Sequence, residues 1–167
     1  MKKLTGRLPT TALALILGMT AGQAFAISPR AFIESASESG LAEIENGKLA
    51  VQKSQSADVK KFAQMMIDDH QAANQELIDL AGQLRLKPSD DAAMTDRVKK
   101  LILEYREGSF DKAYADNQVD AHEKAIELFR KQAEDTDVPD LQDYASKTLP
   151  KLEAHLQEAK KLQAAHQ

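Results

Sequence analysis

From Pro29 onward the apolar residues of this chain recur with the 3.6-residue period of an α-helix, in four long segments divided by Pro, Gly, Ser and Asp breaks. A stripe repeating at i, i+3, i+4 and i+7 buries one side of a helix against other helices and does not fit the pleat of a strand. No sustained period-2 alternation interrupts it, which argues against an outer-membrane barrel. Ala, Leu, Gln, Glu and Lys dominate, and all of them favour helix. The chain is therefore expected to be all-α, an antiparallel four-helix bundle.

The punctuation gives the boundaries. Helix one is expected from Pro29 to Lys53, with Ser28 as its cap and Pro29 at its first position. Helix two should run from Ala57 to Leu84, capped by Ser56, with Asp58 favourable against the dipole. Leu86-Lys87-Pro88-Ser89 breaks the chain, and Ser89 opens a short connecting helix through Tyr105. Glu107-Gly108-Ser109 breaks it again before helix three, Phe110 to Ala133. Asp137 and Asp140 form a capping-box-like start for helix four, which ends near Ala164. Pro150 removes a donor and clashes with the carbonyl four residues back, so a kink or restart is expected there, with Thr148 as the cap of the restarted segment.

The stripes name a core. Helix two offers Val59, Phe62, Met66, Ala73, Leu77, Leu80 and Leu84, with Asp69 on the line and His70 beside it. Helix three offers Phe110, Tyr114, Ala121, Ala125 and Leu128, with His122 one step aside near Gln118 and Phe129. Helix four offers Leu141, Ala145, Thr148, Leu152, Ala159 and Leu162, with His155 on the line. Helix one has a broader face through Ile33, Leu41, Ile44, Leu49 and Val51, and Glu45 shares an edge with Leu41 and Leu49.

The first 26 residues read differently. Lys2, Lys3 and Arg7 precede a short apolar run, and Ala24-Phe25-Ala26 is a small-x-small cleavage pattern. This is the signature of a secretory signal peptide, cut after Ala26, and it places the protein in the periplasm. The run is too short for a membrane span, and no apolar stretch of about 20 residues follows it. Residues 27–167 then form one domain. Three of the 22 basic residues and none of the 26 acidic ones lie in the signal, which leaves a net charge of −7 after it. Diffuse acidity without a basic patch disfavours nucleic acid as a partner. There is no Cys, so disulfides and thiol chemistry are excluded.

Chemistry concentrates on histidine. His70, His122 and His155 each fall near the middle of a helix, and mid-helix residues of a bundle meet at one level. Glu45 on helix one is the candidate carboxylate to join them. The candidate metal ligands are thus Glu45, His70, His122 and His155, with Glu43, Asp69 and Gln118 behind them as orienting groups. Imidazole with carboxylate suits a single Zn, Cu, Fe or Mn ion and does not choose among them. The same residues equally form a buried hydrogen-bond network without metal. Met66 on the stripe reads as core, and three methionines after the signal are too few for a methionine-rich copper site. His166 reads as exposed. Neither a Gly-x-Ser-x-Gly elbow nor a Gly-rich phosphate loop is present, so the sequence gives no positive sign of an enzyme.

Four blocks in order carry a resemblance. They are FIESASESGLAEIENGKLA from Phe32, VKKFAQMMIDDHQAANQEL from Val59, FDKAYADNQVDAHEKAIELF from Phe110 and LQDYASKTLPKLEAHLQEAKKL from Leu141. Together they resemble the DUF4142 family over nearly all of the chain after the signal. The resemblance implies a ferritin-like architecture and export, with no established activity; the family label of outer-membrane protein does not fit a spanning protein here. Ferritin-like di-metal proteins use Glu-x-x-His on two helices. Here Ile67, Val119 and Leu152 stand three residues before the histidines, so a di-iron site is not expected. Two functions remain: a periplasmic protein holding one metal ion in an envelope or stress role, or a non-metal structural or interaction module of the envelope, self-associating or binding an envelope protein.

Overall fold

The computed structural model describes residues 27–89, 110–134 and 136–167. They form four helices, α1 (Pro29–Lys53), α2 (Ala57–Gln83), α3 (Phe110–Glu134) and α4 (Pro139–Ala165). The four boundaries agree with the periodicity to within a residue or two. The expected signal peptide and the expected short helix from Ser89 to Tyr105 lie outside the described residues, apart from Ser89 itself.

Several local rules operate as the sequence suggests. Ser28 Oγ accepts from Ala31 N at 3.2 Å, and Pro29 opens α1. Ser56 is the N-cap of α2, but its hydroxyl turns to the Asp58 carboxylate rather than to the backbone. At the far end of α2, Leu86 N–H donates to Ala81 O at 2.8 Å and Arg85 N–H to Gly82 O at 3.1 Å. This is a Schellman closure, with Arg85 in the left-handed region at φ 56°.

Two expectations for α4 are corrected. Its N-cap is Val138, without a side-chain cap bond, so the Asp137 and Asp140 box does not form. Instead Thr136 Oγ1 accepts from Val138 N. Nor does the helix restart at Pro150: α4 is one helix from Pro139 to Ala165. Thr148 is inside it, and its hydroxyl donates to Tyr144 O at 2.8 Å rather than capping a new segment.

Contacts fix the topology. Ser37 meets Asn74, Phe32 meets Phe129, and Asp69 meets His155. With the close packing of α1 on α2 and of α3 on α4, these place α1 antiparallel to α2 and α3, and α4 antiparallel to α2 and α3. α2 and α3 therefore point the same way, and the junction between them joins opposite ends of the bundle, as in ferritin-like folds. Gly47 lets α1 and α2 approach closely: a Cβ there would lie 2.9 Å from the Ala63 carbonyl oxygen.

The core is two apolar clusters rather than one. At one end Phe32, Ile33, Leu77, Phe129, Leu141 and Tyr144 pack together. At the other Val59, Phe62, Met66, Tyr114, Ala159 and Leu162 do so. Between them, at mid-height, every helix turns a polar residue inward: Glu43, His70 with Asn74, Gln118 with His122, and His155, all buried. The stripe on α3 is accordingly rotated from the one expected. Ala121, Ala125 and Leu128 are only half-buried, while Gln118, His122, Ile126 and Phe129 face the centre.

Candidate metal centre

Each histidine is delivered by a different helix, and each lies about one turn or more from the apolar residues that anchor that helix. Met66 and Leu77 bracket His70, Tyr114 and Phe129 bracket His122, and Leu152 and Ala159 bracket His155. Anchored above and below, the rings meet at one level. Their centroids are 5.8 Å apart for His70 and His122, 5.6 Å for His70 and His155, and 5.4 Å for His122 and His155. One ring nitrogen from each lies within 4.8 Å of the others. All three are withdrawn from solvent, at 9%, 1% and 3% exposure respectively.

Hydrogen bonds orient two of the rings. His122 Nδ1 lies 2.8 Å from the Gln118 carbonyl oxygen, one turn back on α3. A carbonyl only accepts, so Nδ1 carries the proton and Nε2 of the neutral ring holds a lone pair. His155 Nε2 lies 2.9 Å from Asp69 Oδ2. It donates to the carboxylate, which leaves the lone pair on Nδ1. His122 Nε2, His155 Nδ1 and His70 Nε2 are buried with no hydrogen-bond partner among the described residues. Buried polar atoms of proteins are nearly always paired, so three such nitrogens in one group call for a ligand.

The electrostatics favour the neutral form of His70 and His155. Burial, with His122 and His155 adding to it, pushes the His70 pKa down to about 3. Burial also lowers that of His155, against the pull of its Asp69 bond. Asp69 is itself partly desolvated, which works against its charge. Hydrogen bonds from Lys151 Nζ, at 2.9 Å, and from His155 outweigh this and hold the carboxyl below its usual range. The result is a Lys151–Asp69–His155 chain running from the surface to the centre.

The carboxylate on α1 that enters the core is Glu43, not Glu45. Glu43 is 6% exposed and accepts from Gln118 Nε2 at 2.6 Å. Burial raises its pKa, against the lowering effect of His122 and Gln118. The structure does not bring Glu45 to the histidines: it is half-buried on the outer side of α1 and pairs with Lys48 Nζ at 2.6 Å. A helix face turns by 100° per residue, so two positions along reverse the side (3.6 residues per turn). On α2 the expected placement of Asp69 on the stripe and His70 beside it is reversed, since His70 is the buried member and Asp69 the half-buried one. His166 is not free in solvent either but lies 3.1 Å from Asp58 Oδ2.

Sequence reasoning missed Asn46 and Asn74. Both are buried polar residues on this level, and both line a cavity of about 500 Å³ beside the trio. The signal was present as helical spacing: Asn46 is three residues after Glu43, and Asn74 four after His70.

A family model described as "Domain of unknown function (DUF4142)" matches residues 17–162. The chain belongs to the DUF4142 family. No curated protein and no solved structure matches it in the corresponding comparisons. In this DUF4142 chain the histidine blocks that carried the resemblance are the ones that build the polar layer.

Proposed function

We propose that the protein binds one divalent transition-metal ion through His70, His122 and His155, after export to the periplasm. The observation that carries this reading is the convergence of three buried imidazoles, a ring nitrogen of each within 4.8 Å of the others, each ring also carrying a buried nitrogen with no hydrogen-bond partner among the described residues. Neutral imidazoles suit Zn, Cu, Ni or Co. Asp69 on His155 and the Gln118 carbonyl on His122 supply the outer partners that metal-bound histidines characteristically have. A tetrahedral ion bonded at 2.0–2.1 Å would draw the three donors, now within 4.8 Å, to about 3.3 Å from one another. Export is supported by the basic start, the short apolar run and Ala24-Phe25-Ala26.

The second reading is a metal-free polar network serving a structural or interaction role in the envelope. The Asp69–His155 and Glu43–Gln118 bonds favour it. Elemental analysis separates the two. Tag-free protein isolated from the periplasm is expected to carry close to one equivalent of metal, and His122→Ala to lose it. Wild-type protein that stays metal-free and takes up none of Zn, Cu, Ni or Co would leave the network.

A further inference from the structure

We propose that the metal held by the histidine trio keeps a coordination position open to the adjoining cavity, and that a small anion enters there and bonds to the metal. The proposal rests on the metal-binding reading above. The trio supplies three donors where a first-row ion takes four or more, and three-histidine sites that retain a free position are those that admit an exogenous ligand. The space for one is present. The cavity of about 500 Å³ is lined by all three histidines together with Glu43 and Asn46.

The cavity exists because of side-chain size. Ala73, Ala121 and Ala125 line it, and their single methyl groups leave the space that longer side chains would fill. The cavity opens to solvent past the exposed Asp120 and Lys124, so a small solute can reach the unpaired nitrogens from outside. Its lining also includes buried polar groups. Asn46 is 3% exposed, and its Oδ1 has no hydrogen-bond partner among the described residues. The Glu43 carboxylate lines the same space but is not among the atoms of the 4.8 Å cluster.

Charge selects an anion. Three neutral imidazoles leave the charge of a divalent ion uncompensated in a poorly polarisable interior. Of the carboxylates lining the cavity, Asp69 is already committed to His155 and Lys151, and Asp120 lies on the exposed rim. The Glu43 carboxylate is held by Gln118 Nε2 at 2.6 Å. Lys124 also lines the cavity and lowers the barrier to an entering negative charge.

Cobalt(II) and azide test this. Co(II) reports its coordination in visible absorption, and azide is a small monovalent anion that binds an open position. The full-length processed protein loaded with one equivalent of Co(II) is expected to show a saturable spectral change on azide addition, reversed by formate. Ala121→Leu and Ala125→Leu narrow the cavity without touching a ligand. They should keep Co(II) and weaken azide by about tenfold or more, the equivalent of about 1.4 kcal/mol. A Co(II) spectrum indifferent to azide and formate overturns the open position while leaving metal binding intact. Azide binding unchanged in both folded leucine variants overturns the cavity as its route. If both variants fail to fold, the azide and formate titrations of the wild type decide. No Co(II) uptake at all overturns the metal-binding reading, and this inference with it.

Discussion

His155 Nε2 and Asp69 Oδ2 lie 2.9 Å apart although they come from α4 and α2, 86 residues apart in sequence. The bond fixes which nitrogen of His155 faces the other two rings. It also joins the buried centre to a half-buried carboxylate that Lys151 holds from outside. Asp69 is therefore placed to govern the site without being part of it.

Removing that carboxylate frees the His155 ring and lowers its basicity. Asp69→Ala is expected to weaken metal binding by roughly 10–100-fold, the usual effect of losing an outer partner of a ligating histidine. Competition with a chromophoric chelator measures it. An affinity within about twofold of wild type would mean that Asp69 serves only its surface pair with Lys151, since exposed pairs contribute little.

The metal-free protein should lose stability as pH falls. The His70 pKa lies near 3 in the folded chain against 6.5 in the unfolded one, and that of His155 is lowered too. The unfolded state therefore binds more protons below pH 6.5, and stability declines from there downward. The slope is up to about 1.4 kcal/mol per pH unit for each imidazole. Glu43 acts in the opposite sense. Its raised pKa contributes stability present below 4.5 and lost as pH rises through the folded value. Two imidazoles against one carboxylate leave a net fall, and Glu43→Gln should steepen it. Urea unfolding of chelator-treated protein between pH 7.5 and 5 tests this; a flat or rising profile would contradict the placement of His70.

The fold was legible because four apolar stripes of helical period survive any choice of partner, and because Ser28, Pro29 and the breaks before Phe110 act locally. The centre was only half legible. Spacing along one helix places His70, His122 and His155 at mid-height but does not set the rotation of each helix, which depends on packing between helices. Hence Glu45 stood in for Glu43, a displacement of two residues that reverses the side of α1. For the same reason Asp69 and His70 exchanged places. At Pro150 a kink or a restart was expected; the helix does not restart, and the flanking turns are anchored by Leu141, Tyr144, Leu152 and His155 on one buried side. Tertiary packing overrides the local cost there.

The apolar clusters should carry most of the stability. Leu77 has no solvent exposure and sits in the cluster of Phe32, Phe129 and Tyr144. Leu77→Ala should cost about 2–5 kcal/mol, the range for a buried leucine truncated in a close-packed core. Denaturant unfolding gives the value, and a loss below about 0.5 kcal/mol would match a surface position instead.

Export has its own test. Periplasmic protein sequenced from its N-terminus is expected to begin at Ile27, directly after Ala24-Phe25-Ala26. A chain still beginning at Met1 would refute processing.

Gly40 shows how tightly α1 is fitted to the polar layer. A Cβ built there would lie 2.1 Å from Asn74 Oδ1, 2.7 Å from its Cγ and 2.9 Å from its Nδ2. In a free helix Gly→Ala gains about 1 kcal/mol. Here the gain is opposed by displacement of a whole amide that is 6% exposed and donates to Ser37 O at 3.4 Å. Overpacking of this kind costs about 1–3 kcal/mol, and an amide driven from its partner adds to it. The clash therefore outweighs the propensity, and Gly40→Ala should destabilise. Asn74 lines the same cavity as the histidines, so the substitution should also weaken metal binding, whereas Gly82→Ala, with nothing within 4 Å of its added carbon, should not. Parallel urea unfolding and metal titration of the two variants check both halves. A Gly40→Ala protein more stable than wild type would mean that Asn74 swings aside freely and does not brace the centre.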